Sequence, residues 1–168
     1  MAPSGRKGFA MKNVFAFDLT ESSLSDFSHP GFRRAFECYF SEMEISVDDW
    51  EAVYREMAVS GARALLLCSP DGETEAFLLY AVLPFSSSFF EGSAAFVQEF
   101  WVAPPLRGQG LGRRLLRSAE KRFSAQGLNL VLLTSDTAEH FYLHCGYRRA
   151  AGIHAKNDCP VFLRCLPE

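Results

Sequence analysis

The chain has 168 residues, 48% of them apolar and 22% charged, with a formal net charge of −3. Such a length suits one domain with one core, the composition excludes a disordered chain, and the mild acidity argues against a nucleic-acid surface spanning the whole domain. Five cysteines, an odd number without C-x-x-C or Cys/His metal spacing, and the lack of a signal-peptide pattern favour a reducing, cytoplasmic setting, and no apolar run is long enough to span a membrane.

Residues 1–10 read as a loosely ordered tail ahead of a single domain that takes up the rest of the 168 positions. Residues 13–19 ("NVFAFDL") alternate apolar and polar and read as a first strand. "TESSLSDFSHPG" then supplies turn and cap residues. In 32–43, Phe32, Phe36, Tyr39, Phe40 and Met43 recur at helical spacing. A second helix begins near Ser46, with Asp48 and Asp49 suiting its N-terminus, and ends before Gly61.

Residues 62–69 and 74–84 read as strands joined by a hairpin turn at "PDGE", and 94–104 as a further strand after the loop 86–93. Three successive strands imply an antiparallel meander. From Gly110 to Gln126 the period changes to helical, with Leu111, Leu115, Leu116, Ala119 and Phe123 on one face. A strongly apolar central strand (128–135) follows, then a short helix (137–145) after the possible cap Asp136, and two closing strands in "YRRAAGIHA" and "CPVFLRCL". The order β-α-α-β-β-β-α-β-α-β-β is that of an α+β fold, a mixed sheet with helices against it. Most of the sixteen phenylalanines read as core.

One stretch carries chemistry. "VAPPLRGQGLGRRLL" (102–116) places Gly108, Gly110 and Gly112 between a strand and a helix. Glycine allows a tight turn, and the helix start offers unpaired N–H groups at the positive end of the dipole, a combination that holds a pyrophosphate. Arg107 and Arg113 can add charge-assisted contacts, while the wider run with Arg114, Arg117, Lys121 and Arg122 reads equally as a solvated helix face. The spacing is G-x-G-x-G after a meander, so it matches neither the Rossmann nor the Walker pattern.

The segment resembles the acetyl-CoA motif Q/R-x-x-G-x-G/A of the GNAT N-acetyltransferases, with Arg107, Gly110 and Gly112 at its defining positions. Downstream, "AEHFYLHCGY" (138–147) resembles the family's A-x-x-F-Y-x-x-x-G-F/Y helix, in the right order and at a suitable distance. The resemblance covers roughly 94–147. It implies the GNAT fold, a mostly antiparallel twisted sheet splayed between its fourth and fifth strands and flanked by helices. It also implies acetyl-CoA as co-substrate with no metal, and a possible homodimer. Total length and "QEFWV" are similar to the small-amine acetyltransferases.

By that resemblance, Phe100, Trp101 and Val102 provide an open strand edge for pantetheine and a backbone N–H for the thioester oxygen. The pyrophosphate sits on Arg107, Gly108, Gln109, Gly110, Leu111, Gly112 and Arg113. Tyr142 is the candidate acid that protonates the leaving thiolate, the other reading being an aromatic that packs the short helix. Glu99 is the candidate base, directly or through water. Simple alternation puts it on the face of Val97 and Trp101, and leaves open whether Gln98 takes its place or whether Glu99 forms a structural salt bridge.

Many members carry an asparagine near the cofactor where this chain has Ser135, whose reach is shorter. His140 and His144 have a metal-capable i, i+4 spacing but no evident third ligand, and Cys145 reads as a small buried residue. Glu42, Glu44, Asp48, Asp49 and Glu51 form either an acidic rim for a cationic amine or ordinary helix caps, and the aromatics of "PFSSSFFEGS" can line an apolar pocket. The expected activity is transfer of an acetyl group from acetyl-CoA to a primary amine, the acceptor being a small molecule. A protein N-terminus as acceptor, an acyl group longer than acetyl, and a non-catalytic acyl-CoA-binding module on the same fold stay open.

Overall fold

The structure is a computed structural model and describes residues 18–167. Its elements are β1 (Thr20–Leu24), α1 (Pro30–Glu42), α2 (Trp50–Val59), β2 (Arg63–Cys68), β3 (Thr74–Ser86), β4 (Glu91–Val102), α3 (Leu111–Ala125), β5 (Leu130–Thr134), α4 (Glu139–His144), β6 (Arg148–Arg149) and β7 (Val161–Cys165), with a single 3-10 turn at Pro104–Leu106. The strands form one seven-stranded sheet in the order β1-β2-β3-β4-β5-β7-β6. Every pairing is antiparallel except β4 with β5. This is the mixed α+β sheet expected from the order of elements.

Several boundaries differ from the sequence reading, each for a physical reason. The first strand is Thr20–Leu24, inside the stretch read as turn-forming; most of the strand expected at 13–19 lies outside the described residues. β1 is an edge strand with a largely exposed face, so it needs no apolar alternation. It is tied down instead by Glu21, which accepts hydrogen bonds from Ser118 (2.5 Å) and Arg122 (2.5 and 3.0 Å) on α3.

α2 starts at Trp50 rather than near Ser46, because Asp49 is its cap and accepts from the Ala52 amide at 3.0 Å. The β3–β4 hairpin runs on to Ser86 and Glu91, so half of the loop expected at 86–93 is strand and only 87–90 is loop. α4 has Ala138 at its cap position and no side-chain cap, so Asp136 does not cap it; the Ser135 hydroxyl accepts from the Ala138 amide at 3.1 Å in the turn ahead of the helix. Of the "YRRAAGIHA" strand only Arg148 and Arg149 pair with β7.

The core joins the two faces of the sheet. On one face Phe77 of β3 packs rings with Phe32, Phe36 and Tyr39 of α1 and with Trp101 of β4. Phe36 extends this cluster to Phe40, Trp50 and Tyr54, so α2 docks through α1. Such ring pairs add about 0.5–1.5 kcal/mol each beyond the area they bury. On the other face α3 buries Leu111, Leu115, Leu116, Ala119 and Phe123, with Phe123 edge-on to Tyr80 of β3. Among the described phenylalanines Phe27, Phe32, Phe36, Phe77, Phe123 and Phe162 are buried in the core, and Phe40, Phe100 and Phe141 pack against it.

A second polar framework holds the end of the sheet. Glu120 of α3 is buried and accepts from the Tyr147 hydroxyl at 3.0 Å and from Arg164 of β7 at 3.2 Å. Arg164 also donates to the Cys145 carbonyl at the end of α4. Burial raises the Glu120 carboxyl above its usual range, although Tyr147 and Arg164 oppose the shift.

Candidate active site

The site begins where the parallel pair ends. β4 and β5 are in register only from Ala95↔Val131 to Val97↔Leu133, although β4 continues to Val102. Beyond Val97 the backbone of β4 has no partner on the β5 side. The edge expected at Phe100, Trp101 and Val102 is therefore open, and all three line a cleft of about 650 Å³.

A bulge decides which side chains enter. In the β3–β4 ladder Leu79 pairs with Glu99 but Tyr80 pairs with Val97, leaving Gln98 as the extra residue. Directly paired residues share a face, so Glu99 and Trp101 lie with Leu79 and Phe77 under α1. Val97 lies with Tyr80 under α3 instead. The expectation that Val97 and Glu99 share a face is thus corrected, because a bulge breaks the period of two. Gln98 is exposed, and Glu99 is the inward group. No salt bridge to Glu99 forms among the described residues; it accepts from the Tyr39 hydroxyl of α1 at 2.5 Å. Burial raises its carboxyl above the ordinary value, with the Tyr39 hydrogen bond opposing.

At the cleft's other end lies the glycine turn. Gly108 and Gly110 have φ of +76° and +82°, in the left-handed region where a Cβ is strained, and a Cβ at either would meet nothing within 4 Å. Gly110 is the N-cap of α3 and offers no side chain to its first turn. The amides of Leu111, Gly112 and Arg113 therefore have no intrahelical acceptor and face the cleft at the positive end of a fifteen-residue helix. Gly112 is helical, and Phe141 and Phe100 lie 3.5 and 3.7 Å from the place its Cβ would take.

The arginines divide. Arg113 lines the cleft and makes no hydrogen bond or ion pair among the described residues. Arg107 is already engaged, donating to the Val102 carbonyl at 2.8 Å and to Glu42 at 2.6 Å. Arg122 binds Glu21, and Arg114 donates to the Leu19 carbonyl at 2.9 Å. Much of the basic run is thus structural.

Tyr142 stands on the cleft wall, 6% exposed and packed by Phe141, Tyr147 and Phe162. Among the described residues its hydroxyl has no hydrogen-bond partner. Burial, reinforced by Cys145 and Glu99, pushes its phenol well above the usual tyrosine value, so it stays protonated. Ser135 does not line the cleft, and its hydroxyl accepts from the Ala138 amide in the turn ahead of α4. Gln109 donates its side-chain amide to the Pro105 carbonyl at 3.2 Å.

Two further residues, both on α1, line the cleft. Tyr39, read only as one member of an aromatic stripe, lines the cleft beside Tyr142. Its hydroxyl was the one signal, since a phenol among phenylalanines needs a polar partner. Glu42, foreseen as part of an acidic rim, accepts from the Trp101 indole at 3.0 Å as well as from Arg107. Burial works against its charge, but these donors outweigh it and hold its carboxyl below the usual range.

The remaining rim residues mostly have local tasks: Asp49 caps α2, and Glu51 pairs with Arg33. Phe85, Phe89 and Phe90 do not line a pocket as expected, because the β3–β4 hairpin carries them out to solvent, Phe89 being 95% exposed. His140 and His144 are both exposed, the ring of one against the carbonyl of the other, and among the described residues no three His, Cys, Asp or Glu side chains are grouped to hold a metal. Nor is any described helix long and apolar enough to cross a membrane.

Comparison with known proteins agrees with this arrangement. Residues 72–149 match the acetyltransferase (GNAT) domain. Over 76 residues the chain is 33% identical to an aminoglycoside N(6')-acetyltransferase type 1 of Klebsiella aerogenes, a match covering 45% of this chain and 49% of that protein. The chain thus spans about half the length of this curated relative. An acetyltransferase of the GNAT family from Desulfovibrio desulfuricans superposes with a TM-score of 0.67 at 16% identity, over 89% of this chain and 99% of that one. The AtaT toxin, bound to acetyl-CoA and the C-terminus of its antitoxin AtaR, gives 0.61 at 17% identity over 88% and 93%. The splayed sheet and the glycine turn at the head of α3 thus accompany a match of residues 72–149 to the acetyltransferase (GNAT) domain, and the chain shares the fold of these GNAT structures.

Proposed function

We propose that the protein transfers an acetyl group from acetyl-CoA to a primary amine, and that the acceptor is a small, cationic molecule. One observation carries the reading: a single cleft runs from the unpaired amides of the glycine turn, along the open edge of β4, to Tyr142 and Tyr39. Acetyl-CoA use is a property of the family, and the turn is chemically suited to its pyrophosphate. Gly108, Gly110 and the amides of Leu111 to Arg113 supply N–H donors, and Arg113 is the cation left over to join them. Arg107 acts mainly by fixing the turn against Glu42. The backbone N–H groups along Phe100 to Val102 polarise the thioester carbonyl.

Tyr142 is the general acid. Its raised phenol keeps its proton until a developing thiolate, a far stronger base than a thioester sulphur, draws it away. Glu99 is the ultimate base, its raised carboxyl bringing it nearer to the basicity of the ammonium it must help deprotonate. Likeness to an aminoglycoside acetyltransferase supports a small polyamine-like acceptor. The whole described chain acts as one catalytic domain.

The test is acetyl-CoA titration by calorimetry followed by turnover over aminoglycosides, polyamines, amino acids and a peptide with a free N-terminus. Turnover best with a small amine is expected. Turnover with the peptide alone would reassign the acceptor, and tight acetyl-CoA binding without turnover on any amine would make the protein an acyl-CoA-binding module.

A further inference from the structure

The base and the cleft are separated by a phenol. Glu99 does not line the cleft, whereas Tyr39 does, and the Tyr39 hydroxyl donates to Glu99 at 2.5 Å. An acceptor amine in the cleft therefore meets Tyr39 before it meets the carboxylate. The phenol is held in place on both sides by packing: its ring contacts Phe36 and Phe40 on α1 and Phe77 on β3. The bulge at Gln98 turns Glu99 towards it. With its hydrogen directed at Glu99, the Tyr39 oxygen presents a lone pair to whatever enters.

We propose that Tyr39 is a catalytic residue of this site, a proton relay that takes a proton from the acceptor ammonium as it passes its own to Glu99. This rests on the acetyltransferase reading above. In the step, one N–H bond of the ammonium breaks and an O–H bond forms on Tyr39. The original Tyr39 O–H breaks and a new O–H forms on Glu99 Oε2. The products are a neutral amine and a carboxylic acid, and the phenol is unchanged. Glu99 later returns the proton to solvent.

Burial first, then the neighbouring Glu99 charge and its hydrogen bond, push the Tyr39 phenol far above its usual value, so it does not ionise alone and moves its proton only as another arrives. Besides Glu99, the groups facing Tyr39 are Tyr142 from α4 and Asp136 from the loop after β5. Glu42, one turn along α1, is already taken by Trp101 and Arg107.

The experiment compares the wild type, Tyr39→Phe, Glu99→Gln and the double variant on a basic amine and on a weakly basic acceptor already neutral at the assay pH. Acetyl-CoA affinity by calorimetry is read alongside. All forms should bind acetyl-CoA within about twofold of one another. With the basic amine, each single variant should lose kcat on the order of 10²-fold, the double variant should lose no more, and the acidic limb of the kcat/KM profile should vanish from both. With the neutral acceptor all forms should run within a few-fold of wild type, because no proton need be removed first.

A Tyr39→Phe enzyme that keeps wild-type turnover and its acidic limb overturns the relay, as does a loss of equal size on both acceptors. Glu99→Gln keeps the Tyr39 ring and tests the same limb should Tyr39→Phe fail to fold. Absence of wild-type turnover on every amine overturns the acetyltransferase reading and the relay with it, whereas loss of the relay alone leaves that reading standing.

Discussion

Tyr142 and Glu99 are paired in opposite senses by the same cause. Burial raises both, which makes a phenol a more secure proton store and a carboxylate a stronger base. Tyr142→Phe removes only an oxygen whose partner is missing among the described residues. It should lower kcat on the order of 10²-fold while leaving acetyl-CoA affinity and melting temperature near wild type, as calorimetry and thermal unfolding would show. Glu99 has a cost in stability. The folded chain retains its proton at pH values where the unfolded chain has released it, so the group's contribution is present at low pH and is lost as pH rises through the raised value. Glu99→Gln keeps an acceptor for Tyr39 and removes that loss. The variant should melt higher than wild type at neutral pH, with the gap closing near about pH 4.

Residues of this kind were unequally legible. Gly108 and Gly110 could be recognised because only glycine takes a left-handed φ without strain. Tyr142 stood inside a motif. Tyr39 could not be singled out, since nothing in a helical aromatic stripe says which ring faces a cleft, and the bulge that aims Glu99 at it leaves no mark in the sequence.

Among the elements, α3 and the β3–β4 hairpin do most to form the site. α3 presents its N-terminus to the cleft and is anchored at its middle by Glu120, which meets Tyr147 and Arg164. Removing that carboxylate leaves Arg164 partly buried without its charge partner. Glu120→Ala is therefore expected to destabilise the protein by about 3 kcal/mol, measured by urea unfolding. The hairpin behaves differently along its length. Its inner half pairs Phe77 with Trp101 in the core, while its tip carries Phe85, Phe89 and Phe90 into solvent. Phe89→Ser should change stability by no more than about 0.5 kcal/mol and leave turnover unaltered, and a loss of activity would show that these rings reach the acceptor after all.

The long, periodic helices α1 and α3 were readable from their apolar spacing, and β5 from its strongly apolar run. β1 was not, because an edge strand with a solvated face carries no such period, and the hairpin tip was not, because its residues are exposed on both faces. The short β6 is set by tertiary contact with β7 and has no local signal.

At the scale of the whole molecule, the splayed sheet brings the glycine-turn end of the cleft and the proposed acid and base to one place from distant parts of the chain. Tyr39, Glu99 and Tyr142 come from α1, β4 and α4, and Gly110 is the cap of α3. The donor half was legible because its turn and its short helix have fixed spacings. The acceptor half was not, because the walls formed by α1 and the loop after β5 are ordinary core and cap residues until the fold places them. Binding to the native state alone predicts a further property: acetyl-CoA at 100 times its dissociation constant should add about 2.7 kcal/mol of stability, seen as a melting-temperature rise of about 5–10 °C. Arg113→Ala should reduce that shift, while Ser135→Ala should act through the turn ahead of α4 instead.

The most direct measurement is mass-spectrometric detection of acetylated amine after incubation with acetyl-CoA and an aminoglycoside or polyamine, for wild type and Tyr142→Phe side by side. Product whose mass is one acetyl group heavier, formed by the wild type and cut on the order of 10²-fold in Tyr142→Phe at unchanged acetyl-CoA affinity, is the expected result. Equal product from both proteins would remove Tyr142 from the chemistry, and no product from the wild type despite bound acetyl-CoA would contradict acetyl transfer at this cleft.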